Sequence, residues 1–171
     1  MLWSADRPLT WGDFDAVAPA WAEQGNWVAS PDLVMNWTAS YAAKRSGSVY
    51  IAAVTSLTIT CAVDSSGSWA IASRVTAGAL HHEQLHFDLY EVYHRLLEMS
   101  LRPLTAQAAT GQGANQALDN LLVTTGNAIL ARAQAAELQF DKDSANGTNL
   151  AAQATWEARI ASYLENPAAA P

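Results

Sequence analysis

His81-His82-Glu83-Gln84-Leu85-His86-Phe87-Asp88-Leu89-Tyr90-Glu91-Val92-Tyr93-His94 holds all four histidines of the 171-residue chain. Within it, His82-Glu83-x-x-His86 has the H-E-x-x-H spacing. Residues four apart on an α-helix sit about 40° and about 6 Å from one another, so both imidazoles reach one metal ion. A glutamate directly after the first histidine lies where a metal-bound water would stand, the arrangement of a zinc hydrolase. That reading requires a helix, and the surrounding residues predict one. From Thr76 to Met99 there is no proline and the only glycine is Gly78, while Thr76 or Ser73 offers a capping hydroxyl and Ser100 and Pro103 mark the end. With His82 at zero and about 100° per residue, Leu85, Leu89, Val92 and Leu96 form an apolar stripe between about −20° and −80°. Gln84, Asp88, Glu91, Arg95 and Glu98 gather on a solvated face, and His82, His86 and Tyr93 fall beside the stripe.

The same geometry limits which neighbours complete a metal site. His94 lies about 12 Å further along the axis than His86, too far to share an ion. Glu91 belongs to the solvated face, His81 points about 100° away from His82, and Asp88 faces solvent or anchors a neighbouring loop. A third protein ligand therefore comes from elsewhere in the chain. The metzincin extension is absent, because Leu89 and Val92 stand where its glycine and histidine would be.

Composition narrows the function classes. A chain of this length suits a single domain over 1–165 with a disordered tail over 166–171, and 50% hydrophobic residues supply a core. A net charge of −7 without a Lys/Arg cluster argues against a nucleic-acid partner. The single Cys61 excludes an internal disulfide and a cysteine-based zinc site. No stretch approaches the roughly 18 apolar residues of a membrane span. The opening Met1–Arg7 lacks the pattern of a signal peptide.

Along the chain, strands precede helices. Leu57, Ile59, Cys61 and Val63 alternate with Thr58, Thr60 and Ala62, the period of a half-buried strand. Asp64-Ser65-Ser66-Gly67 reads as a turn, with residues 68–73 returning as a hairpin partner. Residues 105–115 read as a loop or frayed helix start, 117–138 as a helix strained at Gly126, 140–149 as a polar loop, and 151–164 as a closing helix with Trp156 and Ile160 inward. The Trp-rich stretch 15–48 shows no clear period. The expectation is an α+β fold: a small antiparallel sheet packed on a helical layer that carries the metal.

Ser68-Trp69, Thr76, and Leu80-x-His82-Glu83-Gln84-x-His86-Phe87-Asp88 together resemble the S-W…T…L-x-H-E-Q-x-H-F-D signature of a bacterial domain family of unknown function. Its members are regarded as predicted secreted zinc-dependent proteases. Three further blocks are similar in the same order: Leu9-Thr10-Trp11-x-Asp13-Phe14, Ala52-Ala53-Val54-Thr55-Ser56, and Phe140-Asp141-x-Asp143-Ser144-x-Asn146-Gly147 followed by Gln153-x-x-Trp156. The resemblance implies a zincin-like domain with Zn2+ held by His82 and His86 and with Glu83 polarising water. It also points to the 140–147 loop for the remaining ligand, Asp141 first, with Asp143 or Asn146 as alternatives. Asn146 is a departure, since the family pattern has histidine there, and it weakens or alters the site. A secreted or periplasmic location follows from the same resemblance.

The implied reaction is peptide hydrolysis, with Glu83 as general base and then proton donor to the leaving amine. Tyr90 and Tyr93 lie near enough to His86 to act on the substrate, although core packing also accounts for both. A peptide or protein substrate pairs with an exposed sheet edge near Thr55. Two rival readings are a non-catalytic zinc protein with a degenerate protease site, and a metal-free interaction module using the seven tryptophans.

Overall fold

Two long strands and a short third form the sheet of the computed structural model, which describes residues 1–171. β1 (Ala29–Ser46) and β2 (Val49–Ala70) are an antiparallel hairpin, and β3 (Thr105–Ala108) joins the other side of β2, giving the order β1-β2-β3. The hairpin turns at Gly47–Ser48, where Gly47 takes φ +61°, a conformation that a Cβ would penalise. Asp64-Ser65-Ser66-Gly67 is therefore not the hairpin turn. It is a bulge within β2: Ser30 pairs with Trp69 and Asp32 with Asp64, so four residues of β2 oppose Pro31. The Asp64 carboxylate accepts the Ser66 amide at 3.0 Å, and Ser68 Oγ bridges the Asp32 amide and the Asp64 carbonyl. A local side-chain turn thus sits inside a continuing ladder.

The Trp-rich stretch resolves into α1 (Ala20–Gln24) and β1. In β1, Met35, Trp37, Ala39, Tyr41 and Ala43 pack toward the core while Asn36, Thr38, Ser40, Ala42 and Lys44 are exposed. Alanine on both faces blurs the contrast that reveals a strand. The inward set of β2 changes phase, from Leu57 and Ile59 to Val54, Ala52 and Tyr50. The cause is one extra residue at Thr55, where Ser40 pairs with Ser56 but Tyr41 pairs with Val54.

Three helices cover the inner face: α2 (Ala77–Leu101), α3 (Gly111–Ser144) and α4 (Leu150–Glu165). Each starts on a side-chain cap, in which Thr76, Thr110 and Asn149 accept the amides of Ala79, Gly113 and Ala152. The stripe Leu85, Leu89, Val92 and Leu96 of α2 is buried, as its spacing predicts, against Leu118, Leu122, Ile129, Ala133, Ala136 and Phe140 of α3. Each such leucine contributes about 1.5–3 kcal/mol on burial. Trp156 and Ile160 of α4 close the same cluster. Residues 105–108 are β3 rather than a loop, while the helix start read there is the first turn of α3 from Gly111. Of the polar loop read over 140–149, residues 140–144 are instead the last turn of α3, and 145–149 form the connection to α4.

A second small cluster, Leu9, Cys61, Val63 and Phe87, seats the N-terminal segment against the opposite side of α2. Gln84 Oε1 accepts the Leu9 amide at 2.6 Å, and Asp88 accepts from both Trp3 Nε1 and Gln84 Nε2. Asp88 is thus an anchor. Glu91, expected on a solvated face, is 6% exposed, because the side chains of His94 and Arg95 fold over it and donate to its carboxylate. The 166–171 tail is likewise placed rather than disordered. A 3-10 turn at Pro167–Ala169 buries Pro167 and Ala170, Tyr93 Oη donates to the Pro171 carbonyl, and Arg132 donates to those of Ala170 and Pro171. No helix is long and apolar enough to cross a membrane.

Gly126 is not a strained point of α3 but the place where the sheet touches it. A Cβ there would stand 2.8 Å from three ring atoms of Trp37. Helix propensity alone favours Gly126→Ala by about 1 kcal/mol. Overpacking of this contact should win, lowering stability by about 1–3 kcal/mol in urea unfolding. Trp37→Leu should relieve the loss, and a Gly126→Ala protein at least as stable as the parent would contradict the packing.

Candidate metal centre

The apolar stripe of α2 turns its flank, and with it His82, Glu83 and His86, into the seam with α3 and α4, where all three are buried. The last two turns of α3 answer with Glu137 and Asp141, and α4 answers with Gln153. His82 Nε2 and His86 Nε2 stand 3.2 Å apart, and Asp141 Oδ1 lies 3.2 Å from the first and 2.9 Å from the second. The other ring nitrogens are also held: His86 Nδ1 meets Glu137 Oε2 at 2.6 Å and His82 Nδ1 meets Gln153 Oε1 at 3.2 Å. Phe140 lies beneath both imidazoles, with ring centroids 4.8 Å from each, and Trp156 backs Phe140. Gly147 closes the side, since a Cβ on it would come 3.0 Å from His82 Cγ.

These partners decide the proton positions. Glu137 Oε2 and Gln153 Oε1 are acceptors, so they favour a proton on each Nδ1. With an ion bound each Nε2 would present its lone pair, and without one His86 Nε2 donates to Asp141. Three donor atoms then converge on one point. Tetrahedral zinc with bonds of about 2.0–2.1 Å wants its donors about 3.3 Å apart, close to the observed triangle. His82, His86 and Asp141 can hold a metal ion.

Charge leads to the same place. Glu83, Glu137 and Asp141 put three carboxylates around two imidazoles in a largely buried seam. Burial raises the pKa of Glu83, against the pull of His86 and His82, and Glu83 has no hydrogen-bond partner in the protein. Burial raises Glu137 as well, against its bond to His86. Asp141 moves the other way: burial would raise it, but its bonds to His82 and His86 prevail and lower it. His86 resists burial too, since its bonds to Asp141 and Glu137 lift it to about 10. Without a metal, a proton on His86 takes the place that a cation would fill.

The centre opens into a cleft of about 880 Å³. α2 lines it with His82, Glu83, His86 and Tyr90, and Val28 together with Ala29, Ser30, Pro31 and Leu33 of β1 lines it from the sheet side. Of the residues expected at the site, His82, Glu83, His86, Asp141 and Tyr90 therefore come together. Tyr93 does not, being fully buried with its hydroxyl on Pro171, and Thr55 lies at the β2 bulge outside the cleft. Asp143 is turned away and accepts from Gln139 Nε2 and Trp156 Nε1. Asn146 lines the same cleft at φ +51°, between Ala145 and Gly147, which also have positive φ. Glu137 and Gln153 are the residues that sequence reasoning missed. Glu137 was findable: α3 has no glycine or proline between Gly126 and Gly147, so Glu137 and Asp141 share a helix face one turn apart.

The profile of a family described as "Bacterial protein of unknown function (DUF922)" matches residues 12–149. The chain belongs to that family. No curated protein and no solved structure matches it. The span matched to DUF922 takes in His82, Glu83, His86, Glu137 and Asp141, and stops before Gln153.

The shift of His86 has a sign that can be checked. Its folded pKa of about 10 stands above the ordinary 6.5, so its contribution to stability is complete below 6.5 and is lost as pH rises through 10. The melting temperature of chelator-treated protein should fall across that window, and His86→Asn should flatten the fall. A midpoint that is level or rising in the parent protein would contradict the arrangement.

Proposed function

We propose that this protein is a metal-dependent peptidase with a zincin-like site, in which His82, His86 and Asp141 hold the ion and Glu83 is the catalytic base. Zinc is the ion best suited to two imidazoles and one carboxylate. One observation carries the reading: three protein donors converge beside a carboxylate without a partner, at the floor of an open cleft. A structural zinc site closes on four protein ligands, whereas a catalytic one keeps a position for water or substrate. Only Trp21 and Trp27 of the seven tryptophans are exposed, which weighs against a module built on an aromatic surface.

A bound divalent ion would supply Lewis acidity, polarising the scissile carbonyl and lowering the pKa of water toward about 7. The remaining work falls to the chain. Glu83, at the floor of the cleft and free of other bonds, accepts the proton of the attacking water and returns it to the leaving amine. Tyr90 follows His86 by one helical turn, its hydroxyl has no protein partner, and burial, ahead of the nearby Glu137, pushes its pKa up to about 12. It therefore remains a donor, suited to the oxygen of the polarised carbonyl. β1 is an edge strand, so an extended peptide in the cleft would lie beside Val28–Leu33 rather than near Thr55.

Elemental analysis after dialysis against a weak chelator should find close to one zinc per chain. Asp141→Ala should lose most of it. Glu83→Gln should keep the zinc but cut peptide hydrolysis by about 100-fold or more. A parent protein that retains no metal would end this proposal, and a Glu83→Gln variant that still cleaves peptides would remove Glu83 from its assigned role.

A further inference from the structure

Glu137 has no part in the reaction described so far, yet it is buried in the seam between α2 and α3. One carboxylate oxygen meets His86 Nδ1 at 2.6 Å, and the other, Oε1, is buried with no partner at all. Apolar packing at this position would avoid the cost of an unpaired buried oxygen, which is about 1–3 kcal/mol. A neutral amide would suffice merely to accept an N–H. Glu137 is not one of the converging donors, because its nearer oxygen is spent on the far side of the ring. What it does reach is the nitrogen that decides which way His86 presents its lone pair.

We infer that Glu137 is a positioning residue: it accepts the Nδ1 proton of His86 and so aims Nε2 at the point shared with His82 and Asp141. The inference rests on the metal-site reading above. Gln153 does the same for His82 through a longer and uncharged bond, so the two supports are unequal. A carboxylate behind a ligating imidazole raises its basicity and fixes its ring plane, and losing such a partner typically weakens metal affinity about 10–100-fold. The pairing also explains the one-turn match between the helices. His82 and His86 on α2 face Asp141 and Glu137 on α3, four residues apart in each helix, so one carboxylate serves both Nε2 atoms and the other backs His86.

The test uses two readouts on the full chain, with circular dichroism to confirm that each variant folds. Zinc affinity, measured by chelator competition, should fall about 10–100-fold in Glu137→Ala. The loss should be smaller in Glu137→Gln, whose amide oxygen still accepts, and smaller in Gln153→Ala than in Glu137→Ala. Independently of metal, ¹H–¹⁵N correlation spectra of the chelator-treated protein should show a far-downfield His86 Nδ1 proton, as the short bond to a carboxylate requires. That signal should move upfield in Glu137→Gln and vanish in Glu137→Ala. Unchanged zinc affinity in Glu137→Ala overturns the inference, as does an imidazole signal insensitive to residue 137. A parent chain that shows the signal but binds no zinc would remove the peptidase reading while leaving His86 oriented by Glu137. If Glu137→Ala fails to fold, the nearly isosteric Glu137→Gln decides between these outcomes.

Discussion

Two imidazoles on the buried flank of α2 are tolerable only because α3 and α4 bring polar partners to meet them. Buried charge without compensation costs several kcal/mol, so this seam dictates how the two later helices dock. α3 must run to Ser144 to deliver Asp141. The chain must then reverse within a few residues to deliver Gln153. Positive φ at Ala145, Asn146 and Gly147 achieves that reversal, at about 1–2 kcal/mol for Ala145, the one residue of the three that rarely adopts it. At Gly147 of this turn, a side chain would press on the His82 imidazole ring. The apolar layer of Phe140 and Trp156 follows from the same docking, filling the space beneath the imidazoles.

The residues of H-E-Q-x-H-F-D divide between two sides of α2. His82, Glu83 and His86 look into the cleft. Gln84, Phe87 and Asp88 look the other way and hold Trp3, Leu9 and their neighbours. The helix is thus gripped from behind by the N-terminal segment while its front flank carries the polar cluster. In this chain Gln84, Phe87 and Asp88 fix the back of the helix, while the H-E-x-x-H residues occupy only its front.

Much of this was legible from residue spacing. The period of α2, its Thr76 cap, the phase of Leu57 to Val63 and the inward Trp156 and Ile160 all follow from local patterns. Asp141 entered through resemblance to a family motif, not through geometry. What escaped was governed by contacts distant in sequence. Asp64-Ser65-Ser66-Gly67 has the chemistry of a turn and makes one, but β1 pairs on either side of it and the strand continues. Residues 111–116 and 140–144 are weak helix formers that become helical because Ala114 and Phe140 are buried against other elements. Glu91 lies at a solvent-facing angle of the helix and is covered by long side chains from its own next turn. The terminal Pro-Ala-Ala-Ala-Pro looks unstructured until Arg132 and Tyr93 supply donors for its carbonyls.

His86 and Asp141 lie 55 residues apart and touch through a single nitrogen–oxygen contact. With only one cysteine, the chain has no covalent means of tying such distant segments together. An ion shared by that pair would act as a cross-link, closing a loop of about 55 residues and removing about 4 kcal/mol of chain entropy from the unfolded ensemble. That link needs no oxidant and is undone by any chelator strong enough to compete. The lifetime of the folded chain would then follow the free metal of its surroundings, with resistance to unfolding and to proteolysis falling when metal is scarce.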